Sequence, residues 1–432
     1  MLKCPVRLIL LLAILIMTDI PVCGQTISHF SIEQVYQLAQ KNYPLIKQRD
    51  LIAKASDYSV SNAAKGYLPT LVINGQATYQ STVTSFPFTV PVPGFTLPTY
   101  SKDQYRVYGE IDQVVFDGGA IKNQKQTARV NGIIQEQNLE VTLYALYDRV
   151  NQLFFGTLLI NEQLKQNDLL KQDILNGISK AKALVANGTA YRSSVDELEA
   201  QLLQAQQAMV ELKAGKKAYL SMLSLFINSP LDESCILDKP APPAYTDDRV
   251  TRPELLAYDL QKRNYDLQRQ MLNIQLLPKF GFFAQGGYGR PGLNSLNNNF
   301  AWYYMGGLKL SWNFGSLYTL KNQRQILGID KTSLDVQKET FLFNTTLTQK
   351  QQQADIEKYN DLFKQDNAII ALRESVKKAA SAQLENGVLS AHDYINQVNA
   401  EDQARQNLIL HQIELLQSQY NYQNTIGNIK NQ

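Results

Sequence analysis

The chain has 432 residues, 42 of them basic and 39 acidic for a formal charge of +3, with 44% hydrophobic and 19% charged residues. That near-neutral balance carries no electrostatic footprint for nucleic acid, and a mean hydropathy of −0.26 excludes a bundle of membrane-spanning helices. Only 15 Pro and 23 Gly punctuate it, too few for a string of small domains, and the composition is not that of a disordered chain.

At the N-terminus, Lys3 and Arg7 precede the apolar run Leu8 to Met17 and then Val22-Cys23-Gly24, the layout of an export signal cleaved after Gly24. Residues 1–24 are therefore expected to be a signal peptide, its apolar run being too short to cross a bilayer. Lipoprotein signals carry a small residue where this chain has Val22, which argues against lipidation at Cys23. Loss of Cys4 and Cys23 leaves Cys235 without a partner for an intramolecular disulfide.

The next segments read as a helix over Ser31–Gly66, a strand from Thr70 to Gln80, and a proline-rich connection between Thr84 and Lys102. A second strand follows, then a proline-free helix from Ala120 to Asn187. In the first strand Leu71, Ile73, Gly75, Ala77 and Tyr79 alternate with Thr70, Asn74, Gln76 and Thr78. In the second, Tyr105, Val107, Gly109, Ile111 and Val115 alternate with Arg106, Tyr108, Glu110 and Asp112. The long helix shows heptad spacing at Leu139, Leu143, Leu146, Val150 and Leu153, then at Ile174, Ile178, Ala181 and Val185. Asn187-Gly188 ends it, supplying the positive φ that reverses the chain into a helix running from Thr189 to Asn228.

The same order then repeats. Pro44 and Pro253 lie 209 residues apart, as do Pro69 and Pro278; Phe116 and Phe314 lie 198 apart, and Gly188 and Gly387 lie 199 apart. Residues 25–228 and 251–432 are thus expected to be two copies of one unit, joined by a connector at 229–250 that holds Pro230, Pro240, Pro242 and Pro243. In the second copy Phe280, Phe282, Ala284, Gly286 and Tyr288, with Trp302, Tyr304, Leu308, Leu310 and Trp312, form the apolar face against Lys309, Ser311 and Asn313. A helix from Leu317 to Asn386 follows, unbroken by proline. Helix lengths suggest that two shorter helices stack end to end along each long one, with the connector at mid-height.

Four amphipathic strands of membrane length leave unpaired edges that cannot face lipid. Four also cannot close a barrel, so other copies must complete it: two would supply eight strands, three twelve, four sixteen. The expected architecture is mixed and mainly α, with four transmembrane β-strands per chain continued by long helices that enclose a conduit. Its barrel lumen would be lined by Thr70, Asn74, Gln76, Glu110, Asp112, Lys309, Ser311 and Asn313.

The chain resembles the TolC family of outer-membrane efflux and secretion channels. The residues that carry the resemblance are Pro44-Leu45 and Arg252-Pro253-Glu254-Leu255 at helix openings, and Leu68-Pro69 and Leu277-Pro278 at helix-to-strand junctions. Phe116-Asp117-Gly118-Gly119 and Phe314-Gly315-Ser316 mark the returns to helix, and Asn187-Gly188-Thr189 and Asn386-Gly387-Val388-Leu389 mark the helix tips. The resemblance implies a homotrimer with a twelve-stranded barrel in outer-membrane lipid and a periplasmic α-helical coiled-coil barrel. It also implies docking of the tips to a periplasmic adaptor and an inner-membrane pump of the resistance-nodulation-division or ABC type. Where the family often carries an acid, six residues past the tip glycine, this chain has Asp393 in the second copy but Ser194 in the first, with Asp196 two residues on. Asp196 and Asp393 are the candidate aperture acids.

An enzyme is not expected, because His29, His392 and His411 are scattered without metal-ligand spacing and no phosphate-binding glycine loop exists; no cofactor is expected either. The alternative from another class is a nonconducting periplasmic scaffold or adaptor. Adaptors, however, need one helical hairpin and a β-rich domain rather than two hairpins.

Overall fold

The computed structural model describes residues 29–85, 87–88, 92–94, 97, 100–244, 248–294 and 297–431. The expected signal peptide at 1–24, Cys23 and parts of the 84–102 and 229–250 connections lie outside the described residues. The elements in chain order are β1 (His29–Phe30), α1 (Ile32–Asn42), α2 (Gln48–Ala64), β2 (Thr70–Tyr79), β3 (Asp103–Phe116), α3 (Ala120–Tyr144), α4 (Leu146–Ala186) and α5 (Arg192–Ile227). Then come β4 (Ile236–Leu237), α6 (Pro253–Ile274), β5 (Lys279–Arg290), β6 (Ala301–Ser311), α7 (Leu317–Glu385) and α8 (Ala391–Ile426). The chain divides into two compact units, one of 1–43, 147–244 and 355–421, the other of 44–146, 245–354 and 422–432.

The first unit is helical. Ser31 opens α1 with a capping box, its hydroxyl accepting from Gln34 N while Gln34 Oε1 accepts from Ser31 N. The tip-proximal core is the heptad seam: Ile174, Ile178 and Ala181 of α4 meet Val195, Leu198 and Ala205 of α5, with Ala380, Leu384, Tyr394, Ile395 and Val398 from α7 and α8. Gly177 makes room for the Tyr394 ring, since an added Cβ would lie 2.5 Å from its Cε1; the Tyr394 hydroxyl donates to Asp173 O at 3.0 Å. β1 and β4 pair in parallel, and Cys235 beside them is buried.

The second unit is a four-stranded antiparallel sheet, ordered β2-β3-β5-β6, with helices α2, α3, α6 and the first part of α7. Three ion pairs tie α6 to α7: Asp259 to Lys338 at 2.7 Å, Lys262 to Asp335 at 2.8 Å and Asp266 to Lys331 at 2.6 Å. The prolines act at helix-to-strand junctions as their chemistry requires. Leu68, before Pro69, is extended at φ −80°, ψ 152°. Asp117 starts the return to helix, its carboxylate accepting from Gly119 N at 2.8 Å and Ile121 N at 2.6 Å.

Two helices differ from expectation. Ser31–Gly66 is not one helix: α1 stops at Asn42, Tyr43 takes ψ 128°, and a 3₁₀ turn over Pro44–Lys47 precedes α2. Pro44 explains it, because its ring forbids helical dihedrals at Tyr43. Ala120–Asn187 is likewise two helices, α3 and α4, separated at Ala145, where ψ flattens to −13° and the backbone N–H turns to Leu143 O. Its counterpart α7 is continuous over 69 residues, about 100 Å at the helical rise.

Candidate functional site

Two surfaces bear on function, one in each unit. On the sheet, residues directly opposite in register share a face. Leu71, Ile73, Val107, Ile111, Phe282, Leu308 and Leu310 fall on one face by the pairings Leu71–Ile111, Gly75–Val107 and Phe282–Leu308. Among the described residues nothing covers it: Ile73 is 76% exposed, Leu308 77% and Tyr304 87%. Aromatics gather at both of its ends. Tyr288 lies 5.0 Å from Trp302 and 5.5 Å from Phe300, and Phe300 stacks near Tyr105, while Phe116 approaches Phe280 and Trp312 approaches Phe314 at the other end. From Tyr105 to Phe116 the strand runs about 36 Å, or about 28 Å across a bilayer at the usual tilt, close to the apolar band of a transmembrane barrel.

The opposite face carries Thr70, Asn74, Gln76, Glu110, Asp112, Lys309 and Ser311, placed together by Thr70–Asp112, Asn74–Tyr108, Gln76–Arg106 and Lys279–Ser311. Asn313 is corrected: β6 ends at Ser311, and the Asn313 side chain turns back to accept from Gly315 N at 2.8 Å. Val115 is corrected too. It is the extra residue of a bulge between Val114 and Phe116, so Gln113 rather than Val115 keeps the parity of the apolar face, paired with Phe282, and Phe116 resumes it. Lys279, Gln285 and Tyr303 also lie on the polar face; counting by twos from Lys279 along β5 would have found the first two. Among its described side chains the polar face holds Arg106, Lys279 and Lys309 against Glu110 and Asp112.

The second surface is the pair of helix tips. Each turn is a Schellman motif. Gly188 at φ +74° donates to Val185 O at 3.0 Å while Thr189 N reaches Leu184 O at 2.9 Å. Gly387 at φ +71° donates to Leu384 O at 3.0 Å while Val388 N reaches Gln383 O at 2.9 Å. Asn187 and Asn386 are the last turn residues before each glycine, the Asn386 amide donating to Ala382 O. Val388 is 77% exposed and Tyr191 85%. Leu389, expected beside Val388 as an apolar contact, instead packs partly buried against the core seam.

Neither candidate aperture acid is a free carboxylate. Asp393 sits at the third position of α8, its Oδ2 accepting from Ser390 Oγ at 2.7 Å while Ser390 Oγ accepts from Asp393 N at 3.1 Å. Asp196 lies 3.6 Å from Arg192, one turn back on α5. Between the tips, His392 Nδ1 and Glu197 Oε1 are 2.6 Å apart, and the Glu197 carboxylate raises the imidazole pKa, with a smaller push from Asp393. Deeper in the bundle, Lys377 bridges Asp173 at 2.8 Å and the buried Glu401 at 3.1 Å. Burial opposes its charge, but those two carboxylates outweigh it and raise its pKa.

No group of His, Cys, Asp and Glu among the described residues has metal-binding geometry, and no described helix is long and apolar enough to cross a membrane. The family model described as Outer membrane efflux protein matches residues 35–225. The fold is shared with CusC, whose crystal structures concern transmembrane channel formation, at a TM-score of 0.67 and 12% identity over 91% of each chain. It is also shared with the Campylobacter jejuni CmeC outer membrane channel, at 0.63 and 12% over 92% of this chain and 85% of that one. The open-state Neisseria gonorrhoeae MtrE outer membrane channel matches at 0.62 and 13%, over 92% and 89%. No curated protein matches by sequence.

Proposed function

We propose that this chain, an outer-membrane efflux channel protein with a TolC-like fold and a periplasmic helical extension, works as a homotrimer whose twelve strands close a barrel and whose helices enclose a periplasmic tunnel. The trimer serves as the exit duct of a tripartite efflux pump or a type I secretion system. One observation carries this reading: the sheet has an uncovered apolar face of membrane height and leaves one edge each of β2 and β6 without a partner strand among the described residues. Such edges are tolerated in lipid only if other strands close them. In this reading residues 1–24 are removed on export, and 25–228 and 251–432, joined by 229–250, each contribute two strands and one helical hairpin. Thr70, Asn74, Gln76, Glu110, Asp112, Lys309 and Ser311 line the lumen.

Asn187, Gly188, Thr189, Asn386, Gly387 and the exposed Val388 form the surface that meets a periplasmic adaptor, which links the duct to an inner-membrane pump of the resistance-nodulation-division or ABC type. Asp196 and Asp393 border the aperture. Light scattering of the detergent-solubilised protein should give the mass of three chains, and the protein should resist carbonate and urea extraction from membranes. A single-chain mass, or release by carbonate, would overturn the reading. For docking, Gly387→Val should leave the trimer intact while crosslinking to the adaptor falls; undiminished crosslinking would move the docking surface away from the tips.

A further inference from the structure

We infer that Lys309 sets the charge selectivity of the barrel lumen by pairing with two carboxylates on its wall and offsetting part of their charge; the inference rests on the trimeric-conduit reading above. Lys309 stands opposite Gly281 on β5, which in turn stands opposite Val114 on β3. From there its ammonium reaches back over β5 to Asp112 Oδ1 at 3.4 Å and Glu110 Oε1 at 3.7 Å, so one cation serves two acids two strands away. The path is open because β5 carries no side chain at Gly281, and it can carry none: an added Cβ would lie 2.8 Å from Gln113 O. Gly287 and Gly289 are closed to a side chain for the same reason, at 2.6 Å from Val107 O and 2.7 Å from Tyr105 O. On the polar face β5 is thus bare beside Lys309, and Phe283 and Gln285 stand opposite Asp112 and Glu110 before the next glycines.

Lys309 remains 57% exposed and its two acids 22% and 34%, so the group is hydrated and within reach of passing ions. With Lys309 present, Arg106 and Lys279 leave the described polar face with one more cation than acid; without it, the patch around Glu110 and Asp112 is negative. A threefold axis repeats the patch around the lumen, where rings of one sign act on permeant ions more strongly than a single charge.

The charge arithmetic makes the test antisymmetric. The trimer is placed in planar bilayers under a potassium chloride gradient at about 0.1 M, where the Debye length of about 10 Å still lets lumen charges be felt. Lys309→Met should raise the potassium-to-chloride permeability ratio about threefold and Asp112→Asn should lower it about threefold, each variant removing one charge. The double variant, whose net charge on that face equals the wild type's, should return to the wild-type ratio. A variant that merely disturbed the barrel would not reverse sign with the sign of the charge removed. Conducting trimers in which the two variants shift the ratio in the same direction, or not at all, would overturn the role of Lys309 and leave the conduit standing. Wild-type trimers that form no conducting pore would overturn the conduit and this inference together.

Discussion

His392 and Glu197 join the first turns of α8 and α5 through one short contact between exposed side chains, which makes the pairing of the tips sensitive to pH. The imidazole pKa is raised above its ordinary value of about 6.5 by the Glu197 hydrogen bond first and the Coulombic terms second. A raised folded-state value means the contact contributes fully below the unfolded pKa and is lost as pH rises through the folded one. Protection factors of the tip amides, taken relative to the intrinsic base-catalysed exchange rate, should therefore fall on the alkaline side of the His392 titration, and His392→Gln should remove that fall. Glycines at the same end of the bundle separate two kinds of constraint. Gly188 has open space where a Cβ would go but a φ of +74°, so Gly188→Ala should cost only the backbone strain, about 1 kcal/mol. Gly177 is helical yet faces the Tyr394 ring at 2.5 Å. Gly177→Ala should displace that ring from Asp173 O and cost about 3 kcal/mol. Thermal dissociation of the two variants should separate them in that order.

At the scale of elements, each strand presents one face to be buried and another to be hydrated, and the two answer differently to the same substitution. Ile73 lies on the uncovered apolar face in register with Gly109, whereas Gln76 lies on the polar face in register with Arg106. Lysine at position 73 should impair membrane insertion by about 2–4 kcal/mol, the cost of a cation near the bilayer midplane, whereas lysine at position 76 stays in water and should be tolerated. The amount of heat-modifiable trimer in outer-membrane fractions measures the difference, and a lower yield for position 76 than for position 73 would mean that the faces are assigned the wrong way round. The helices carry a corresponding asymmetry. α7 is continuous, whereas its counterpart is divided at Ala145 and α1 is divided from α2 at Tyr43 and Pro44.

For the whole molecule, the proposed barrel predicts an orientation: the connection between β2 and β3, the longer of the two that join paired strands in sequence, should face outside the cell, where transmembrane barrels place their long loops. A cysteine at Thr89, outside the described residues, should be labelled by an impermeant maleimide on intact cells. Labelling only after the outer membrane is permeabilised would invert the topology.

The sequence alone determined the face taken by most strand side chains and where the two helix tips turn. The period of two sorted Leu71, Ile73 and Tyr79 from Thr70, Asn74 and Gln76, and the tip glycines marked the two positions that need positive φ, because both signals depend on a residue and its immediate neighbours. The resemblance to the TolC family, carried by junctions of this local kind, is borne out by the family match and the fold. Pro44 was legible too, yet its effect on the helix before it shows only when Tyr43 is seen extended. Only the tertiary structure decided that β3 pairs with β5, that a bulge at Val115 changes the parity, and that Asn313 caps a turn rather than extending a strand. It also decided that Lys309 meets Glu110 and Asp112, and His392 meets Glu197, across 195 or more residues of chain. Those outcomes depend on register and on close approach between distant segments, and neither leaves a mark in the local alternation of polar and apolar residues.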